Sequence, residues 1–227
     1  MTINELALFA GAGGGLLASH LFGFRTICAV EYDEGARRIL VSRQNDGTLR
    51  PFPIWDDVRT FDGQEWRGFV DLVSGGFPCQ AYSTAASGRN VADDLWPEMR
   101  RVVADVVARY VFAENVSKRA IDAAADDLEQ MGYETRCISF SAADMGADHI
   151  RARHWVLAYA DNPRELLRAF NDETSIVPTL QTSVWEQQPT SANVVDGVAG
   201  RLDGIKATGN GQVPAVAAAA LMELVNA

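Results

Sequence analysis

The sequence predicts an α/β fold: a mostly parallel twisted sheet with helices on both faces. Three observations predict it. Short apolar runs of strand length recur at residues 6–9, 25–30, 52–55, 69–73, 110–113, 133–140 and 155–158. Segments with apolar residues at helical spacing alternate with most of them, the arrangement that builds βαβ units. Several of these runs also finish in glycines, an acid or a cysteine, and open α/β sheets place their ligands at the carboxyl ends of their strands.

The composition sets bounds. A chain of 227 residues that is 48% hydrophobic and 22% charged suits one large domain, or a core domain with a small appendage. No apolar run approaches the length that spans a bilayer, and Met1-Thr2-Ile3-Asn4-Glu5 lacks the basic start of a signal peptide. Cys28, Cys79 and Cys137 are an odd number with no CxxC pair, which predicts neither a disulfide framework nor a metal site and makes a reducing cytoplasm the default. The net charge of −10 argues against a protein that coats nucleic acid non-specifically, because Lys and Arg supply phosphate contacts. It leaves room for one local groove.

Taken in order, the run 6–9 breaks at Ala10-Gly11-Ala12-Gly13-Gly14-Gly15, after which Leu16, Leu17, His20 and Leu21 continue at helical spacing. Strand, glycine loop and helix make a cofactor cradle, with backbone N–H groups and the helix N-terminus facing the ligand. Leu16 stands where a dinucleotide fingerprint has its third glycine, so a plain glycine-rich turn is the alternative. The run 25–30 ends in Glu31, at a spacing suited to accepting ribose hydroxyls, and Tyr32 beside it can stack on a purine. The alternative for Glu31 is an exposed charge at a strand end. Asp33 is the predicted N-cap of a helix through Ile39 and Leu40. The run 52–55 again ends in acid, Asp56-Asp57, and 60–68 reads as a polar loop.

The stretch that organises the chain follows. Residues 69–73 run into Ser74-Gly75-Gly76-Phe77-Pro78-Cys79-Gln80. Glycines permit a sharp turn and close approach, and proline fixes the local φ, so a single cysteine is delivered onto a loop at a strand's carboxyl end. By itself such a cysteine is equally a small buried hydrophobe. Residues 81–94 are small and polar, the composition of a lid or of a surface loop. Leu95-Trp96-Pro97 starts a helix with Met99, Val102, Val103, Val106 and Val107 on its buried face. The strand 110–113 ends in Glu114-Asn115-Val116, Met131 closes the next helix, and 133–140 is another strand. Alternation then puts Arg151, Arg153 and Trp155 on one face, where two arginines entering an apolar strand suit an anion or a carbonyl; solvated surface is the alternative. Long strands disappear from 161 to 206, where Pro163, Pro178 and Pro189 interrupt the chain. Gly209-Asn210-Gly211-Gln212-Val213-Pro214 leads into an apolar helix over 215–225. Three parts are expected: a catalytic and cofactor-binding domain over 1–160, a reduced recognition segment over 161–206, and a returning C-terminal helix over 207–227.

With these stretches in view, the chain resembles the cytosine carbon-5 DNA methyltransferases. The segments that carry the likeness stand in that family's order: Phe9-Ala10-Gly11-Ala12-Gly13-Gly14, Glu31, Asp57-Val58, Gly75-Gly76-Phe77-Pro78-Cys79-Gln80, Glu114-Asn115-Val116, Arg151-Ala152-Arg153 and Gly209-Asn210. The resemblance implies a Rossmann-like, S-adenosylmethionine-dependent methyltransferase fold. It implies that Cys79 adds to carbon 6 of a flipped cytosine in double-stranded DNA, that Glu114 bonds ring N3, and that Arg153 and Arg151 hold O2. The implied contacts to S-adenosylmethionine are Phe9, Gly11, Gly13, Gly14, Glu31, Tyr32, Asp57, Val58, Pro78, Leu95 and Asn210. Gln80, Ser83, Arg89, Trp185 and Arg201 are the implied DNA contacts.

There are departures from the family pattern. Ala7 replaces the usual Asp or Ser, His149 replaces a frequent glutamine, and 161–206 is much shorter than the usual target-recognition region. That shortness leaves a place for a second subunit or partner. Compact bacterial and phage-borne members look like this, which implies the cytoplasm of a bacterium or of a phage-infected host. Three other readings remain at this stage: a tRNA cytosine methyltransferase, a non-catalytic relative that binds DNA or a partner, and a nicotinamide-dependent oxidoreductase built on the glycine loop.

Overall fold

The computed structural model describes residues 2–78, 94–145, 152–171 and 212–227. Seven strands form one sheet: β1 (Asn4–Leu8), β2 (Arg25–Val30), β3 (Ile54–Trp55), β4 (Leu72–Gly76), β5 (Tyr110–Asn115), β6 (Glu134–Phe140) and β7 (Arg153–Tyr159). Their order across the sheet is β3-β2-β1-β4-β5-β7-β6. All pairs from β3 to β5 are parallel, and β7 runs antiparallel to both neighbours. The predicted mostly parallel α/β sheet is present, with one reversed strand. The order turns round between β1 and β4, and at such a switch point the connections leave to opposite faces and open a crevice. Both the glycine loop after β1 and the stretch Phe77-Pro78 after β4 leave from that point.

Among the described residues five helices cover the sheet: α1 (Gly14–Leu21), α2 (Glu34–Asn45), α3 (Trp96–Val106), α4 (Lys118–Gln130) and α5 (Pro214–Asn226). Strand alternation decides which helix meets which side chain. Leu6, Leu8, Val73 and Val111 pack with Met99 and Val103 of α3 and with Ile121 and Leu128 of α4. On the other face Leu72, Tyr110, Phe112, Trp155 and Leu157 pack with Ala18 of α1 and with Val216, Ala220 and Leu224 of α5. The C-terminal helix is thus part of the sheet's own core. Arg136 Nη1 bonds the Leu224 and Val225 carbonyls at 2.7 and 3.0 Å, placing a cation at the negative end of α5.

Local chemistry explains the helix ends. Asp33 caps α2 as predicted, accepting from Ala36 N at 3.0 Å, and Ser117 caps α4. Pro97 sits in the first turn of α3, where a missing N–H costs nothing, and Met131 ends α4.

Several boundaries differ from the sequence reading. β4 begins at Leu72 and continues through Gly75 and Gly76, so these glycines lie in the ladder rather than in a turn after it. A Cβ at Gly75 would stand 2.4 Å from the Leu8 carbonyl oxygen, so only glycine lets β1 and β4 approach so closely. Phe69 is 65% exposed and precedes the strand. Phe9 leaves β1 with φ 53, which turns the chain into the loop instead of extending the strand. Val107 is not on the buried face of α3: it is the C-cap, with φ 55, and is 60% exposed. β3 is two residues long. The polar stretch 60–68 lies within two short 3-10 turns, Val58–Thr60 and Gln64–Trp66, and their flanks. A 3-10 segment, Pro163–Asn171, opens the irregular region.

Candidate active site

The site is assembled from the ends of β1, β2, β4, β5 and β7. At the end of β1 the loop is built by backbone geometry: Gly11 has φ 55, Gly13 has φ 88, and Gly13 N bonds the Ala10 carbonyl at 2.9 Å. The second strand holds this loop through Glu31. Its Oε2 accepts from Gly11 N at 2.6 Å and its Oε1 from Asp33 N at 2.7 Å. The predicted exposed alternative for Glu31 is corrected, since the residue is 9% exposed and ties two backbone amides. Each carboxylate oxygen retains a second acceptor site.

Tyr32 is 69% exposed beside this loop. Asp57 at the end of β3 is engaged by Arg59, whose Nε lies 2.9 Å from Oδ1 and whose Nη2 lies 3.0 Å from Oδ2. That hydrogen bonding holds the Asp57 carboxyl below its ordinary pKa. The same guanidinium stands 5.5 Å from the centre of the Tyr32 ring. Arg59 was not a predicted site residue; its only sequence signal is a position two residues after Asp57. Val58 is buried in the core beneath.

The end of β4 is fixed from β5. The register pairs Gly76 with Glu114, and buried Asn115 donates its Nδ2 to the Phe77 carbonyl at 2.8 Å while its Oδ1 accepts from Ser117 N at 2.9 Å. Phe77 packs on Trp96, ring centres 5.1 Å apart. The Pro78 carbonyl accepts from Leu95 N at 3.3 Å, so the two flanks of residues 79–93 meet. Asn115, read from sequence only as part of a motif, is therefore what pins the backbone two residues ahead of Cys79.

Glu114 is 7% exposed. Arg153 enters from β7, whose register sets Glu114 opposite Trp155, and its Nε lies 2.9 Å from Glu114 Oε1. The predicted face shared by Arg153 and Trp155 thus meets the end of β5. Leu95 packs against the core beside Trp96. Cys79, Gln80, Ser83, Arg89, Arg151, Trp185, Arg201 and Asn210 lie outside the described residues. Burial pushes the Cys28 thiol up to about 11, which leaves it neutral and unreactive at physiological pH.

Beneath the loop is a feature the sequence did not announce. Glu5 is fully buried, with Ser19 Oγ and Ser74 Oγ each 2.6 Å from Oε1 and Thr26 Oγ1 2.9 Å from Oε2. Burial raises its pKa, and the three hydroxyls oppose the rise. α1, β2 and β4 are thereby joined under the crevice.

A family model described as C-5 cytosine-specific DNA methylase matches residues 3–213. The chain belongs to the C-5 cytosine-specific DNA methylase family. Members of this family draw their methyl group from S-adenosylmethionine. The chain is 26% identical over 181 residues to the type II methyltransferase M.CviJI of Paramecium bursaria Chlorella virus IL3A, covering 75% of this chain and 47% of that protein. It is 28% identical to M.NgoMIV of Neisseria gonorrhoeae over 67% of this chain and 50% of that protein. Among solved structures, a proposed DNA modification methyltransferase encoded within an E. coli prophage matches with TM-score 0.54 and 26% identity, over 70% of this chain and 47% of that one. The S. pombe Dnmt2 methyltransferase shares the fold, with TM-score 0.55 and 21% identity over 69% of this chain and 50% of that one. The chain spans about half the length of the curated relatives it matches. Among the described residues of this family member, no helix is long and apolar enough to cross a membrane.

Proposed function

We propose that this protein is a DNA cytosine-5 methyltransferase that acts on a cytosine flipped out of double-stranded DNA through a covalent bond to Cys79. The observation that carries this reading is the joint between β4 and β5: Glu114, with Arg153 at 2.9 Å, lies beside Gly76, and Asn115 anchors the Phe77 carbonyl. The next residues are Pro78 and Cys79. Carboxyl and guanidinium thus come from β5 and β7, beside the strand whose chain leads on to Cys79.

The glycine cradle fits S-adenosylmethionine. Among the described residues no atom lies within 4 Å of where a side chain at left-handed Gly11 would stand, leaving the crest of the loop open, and Glu31 closes the second strand beside it. Phe9, Gly11, Gly13, Gly14, Glu31, Tyr32, Asp57, Val58, Pro78, Leu95 and Asn210 would hold the cofactor, with Glu31 at ribose hydroxyls and Tyr32 at the purine. When bound, the cofactor supplies an electrophilic methyl group.

The chain's own residues prepare the acceptor. The Cys79 thiolate forms a bond to carbon 6, and the electron pair of the 5,6 double bond moves to carbon 5. Glu114 gives a proton or a strong hydrogen bond to ring N3 and offsets the charge developed there. Arg153, joined by Arg151, holds the O2 side. After methylation carbon 5 loses its proton, the electron pair re-forms the double bond, and the Cys79 sulfur leaves. Gln80, Ser83 and Arg89 follow Cys79 and would face the DNA, as would Trp185 and Arg201 from the recognition segment 161–206. That segment, flanked by the 1–160 domain and the 207–227 helix, is short enough for a second subunit to supplement it. The cell compartment of this reading is the cytoplasm of a bacterium or of a phage-infected host.

The test is a trapping experiment with duplex DNA carrying 5-fluorocytosine. Methylation of that base leaves no carbon-5 proton to lose, so the sulfur stays bonded. A DNA-linked species that survives denaturation, requires the cofactor and is lost in Cys79→Ala is expected. Methyl transfer by Cys79→Ala at the wild-type rate overturns the mechanism. Labelling of tRNA but not of duplex DNA overturns the substrate.

A further inference from the structure

Gln212 precedes α5 and has no part in the reading above, yet it reaches the centre of the crevice. The C-terminal helix docks through Val216, Ala220 and Leu224 on the α1 side of the sheet, and its first turn is closed by Ala217 N on the Val213 carbonyl at 3.0 Å. Gln212 therefore stands directly before the N-cap of a docked helix. Its carbonyl oxygen lies 2.1 Å from where a Cβ at Gly14 would stand, and its Oε1 lies 2.9 Å from the same point at Gly15. The other end of the carboxamide faces away from the loop. Gln212 Nε2 and Glu114 Oε2 both lie within 3.3 Å of the Cβ point above Gly76. Gly15, Gly76, Glu114 and Gln212 line one cleft. Gly14 thus leaves room for the Gln212 backbone, and Gly15 and Gly76 leave room for its side chain, which bridges the cofactor loop and the end of β4.

We infer that Gln212 is a positioning residue for methyl transfer: its carboxamide holds the start of α1 against the end of β4 and presents a donor to the space that Glu114 Oε2 faces. This rests on the function proposed above and acts through Glu114. Arg153 Nε holds Oε1, and Gln212 Nε2 lines the side of the cleft on which Oε2 stands. Residue 212 meets the cofactor-holding Gly14 through its backbone alone, which a change of side chain leaves in place.

The test compares Gln212→Leu and Gln212→Glu with the wild-type chain. Gln212→Leu should lower kcat for duplex DNA about tenfold or more, the scale of a small misplacement of a reacting group. KM for DNA, and Kd for S-adenosylhomocysteine by calorimetry, should each stay within about threefold of wild type. Gln212→Glu keeps the shape but loses the donor, so it should fail to restore kcat. A wild-type kcat in either variant overturns the inference, as does a kcat loss matched by equal weakening of S-adenosylhomocysteine binding. The contact itself is read without activity, by urea unfolding of Gly15→Ala in two backgrounds. Alanine should raise the midpoint less in the wild-type chain, where its methyl must displace Oε1, than beside Gln212→Ala, where the better helix former acts unopposed. Equal shifts in both backgrounds overturn the wedge. If the wild-type chain methylates no DNA, the proposed function fails, and the unfolding comparison still decides whether Gln212 bridges the two elements.

Discussion

Replacing Asn115 tests how the site is held. The residue is 2% exposed, and its amide serves the Phe77 carbonyl at 2.8 Å and Ser117 N at 2.9 Å. Asn115→Ala strands both partners. A buried polar group left without its partner costs about 1–3 kcal/mol. The Phe77 carbonyl belongs at the upper end, and the Ser117 amide, which water can reach, at the lower. The expected loss is roughly 2–4 kcal/mol of unfolding free energy, or about 2–4 °C of melting temperature for each kcal/mol. Asn115→Asp sharpens the test. It keeps the acceptor for Ser117 but turns an oxygen toward the Phe77 carbonyl. Its deficit should be large at neutral pH and shrink in acid, where a protonated carboxyl donates again. Urea unfolding followed by tryptophan fluorescence reads both variants. An Asn115→Ala chain within about 0.5 kcal/mol of wild type, the range of an ordinary surface change, would refute the pinning role.

Three further outcomes follow from other contacts. The raised pKa of Glu5 has a defined sign: below the unfolded value near 4.5 both states are protonated and its contribution is full. As pH rises from there toward the folded value, the unfolded chain ionises first and stability is lost. Denaturation of wild type and Glu5→Gln across that interval should show the wild type losing ground as pH rises; parallel curves would refute a neutral buried carboxyl. Gly75→Ala should cost about 1–3 kcal/mol or more, because its new methyl meets the Leu8 carbonyl, a backbone atom that cannot swing aside; an unchanged urea midpoint contradicts this. Glu31→Ala releases Gly11 N and Asp33 N and should weaken S-adenosylhomocysteine binding about tenfold or more, which is about 1.4 kcal/mol; calorimetry showing wild-type affinity would remove Glu31 from the site.

The parts legible in the sequence were those whose signal is local. Asp33 as an N-cap and Pro97 in the first turn of α3 depend on neighbouring atoms only. The apolar runs announced all seven strands, and the two periods of the hydrophobic pattern separated strand from helix. The acid and glycine residues at strand ends pointed to one edge of the sheet, since parallel strands align their carboxyl ends. Boundaries were less legible where a long-range contact overrode local preference. Gly75 and Gly76 read as a turn, yet pairing with β1 and β5 keeps them extended. Val107 continued the periodic stripe of α3, yet its left-handed conformation turns its side chain outward.

By itself, then, the order of residues determined the α/β class, the glycine cradle and the standing of Glu31 and Glu114 at the carboxyl ends of their strands. Only the tertiary structure decided the reversal of β7 that brings Arg153 to Glu114, the burial of Glu5 among three hydroxyls, and the reach of Gln212 from the far end of the chain. The reason is physical. Periodicity and capping are set by residues within a turn or a pleat of one another. The partners of Glu5 and Gln212 are chosen by sheet register and helix docking, which bring together residues whose separation along the chain carries no trace of the contact.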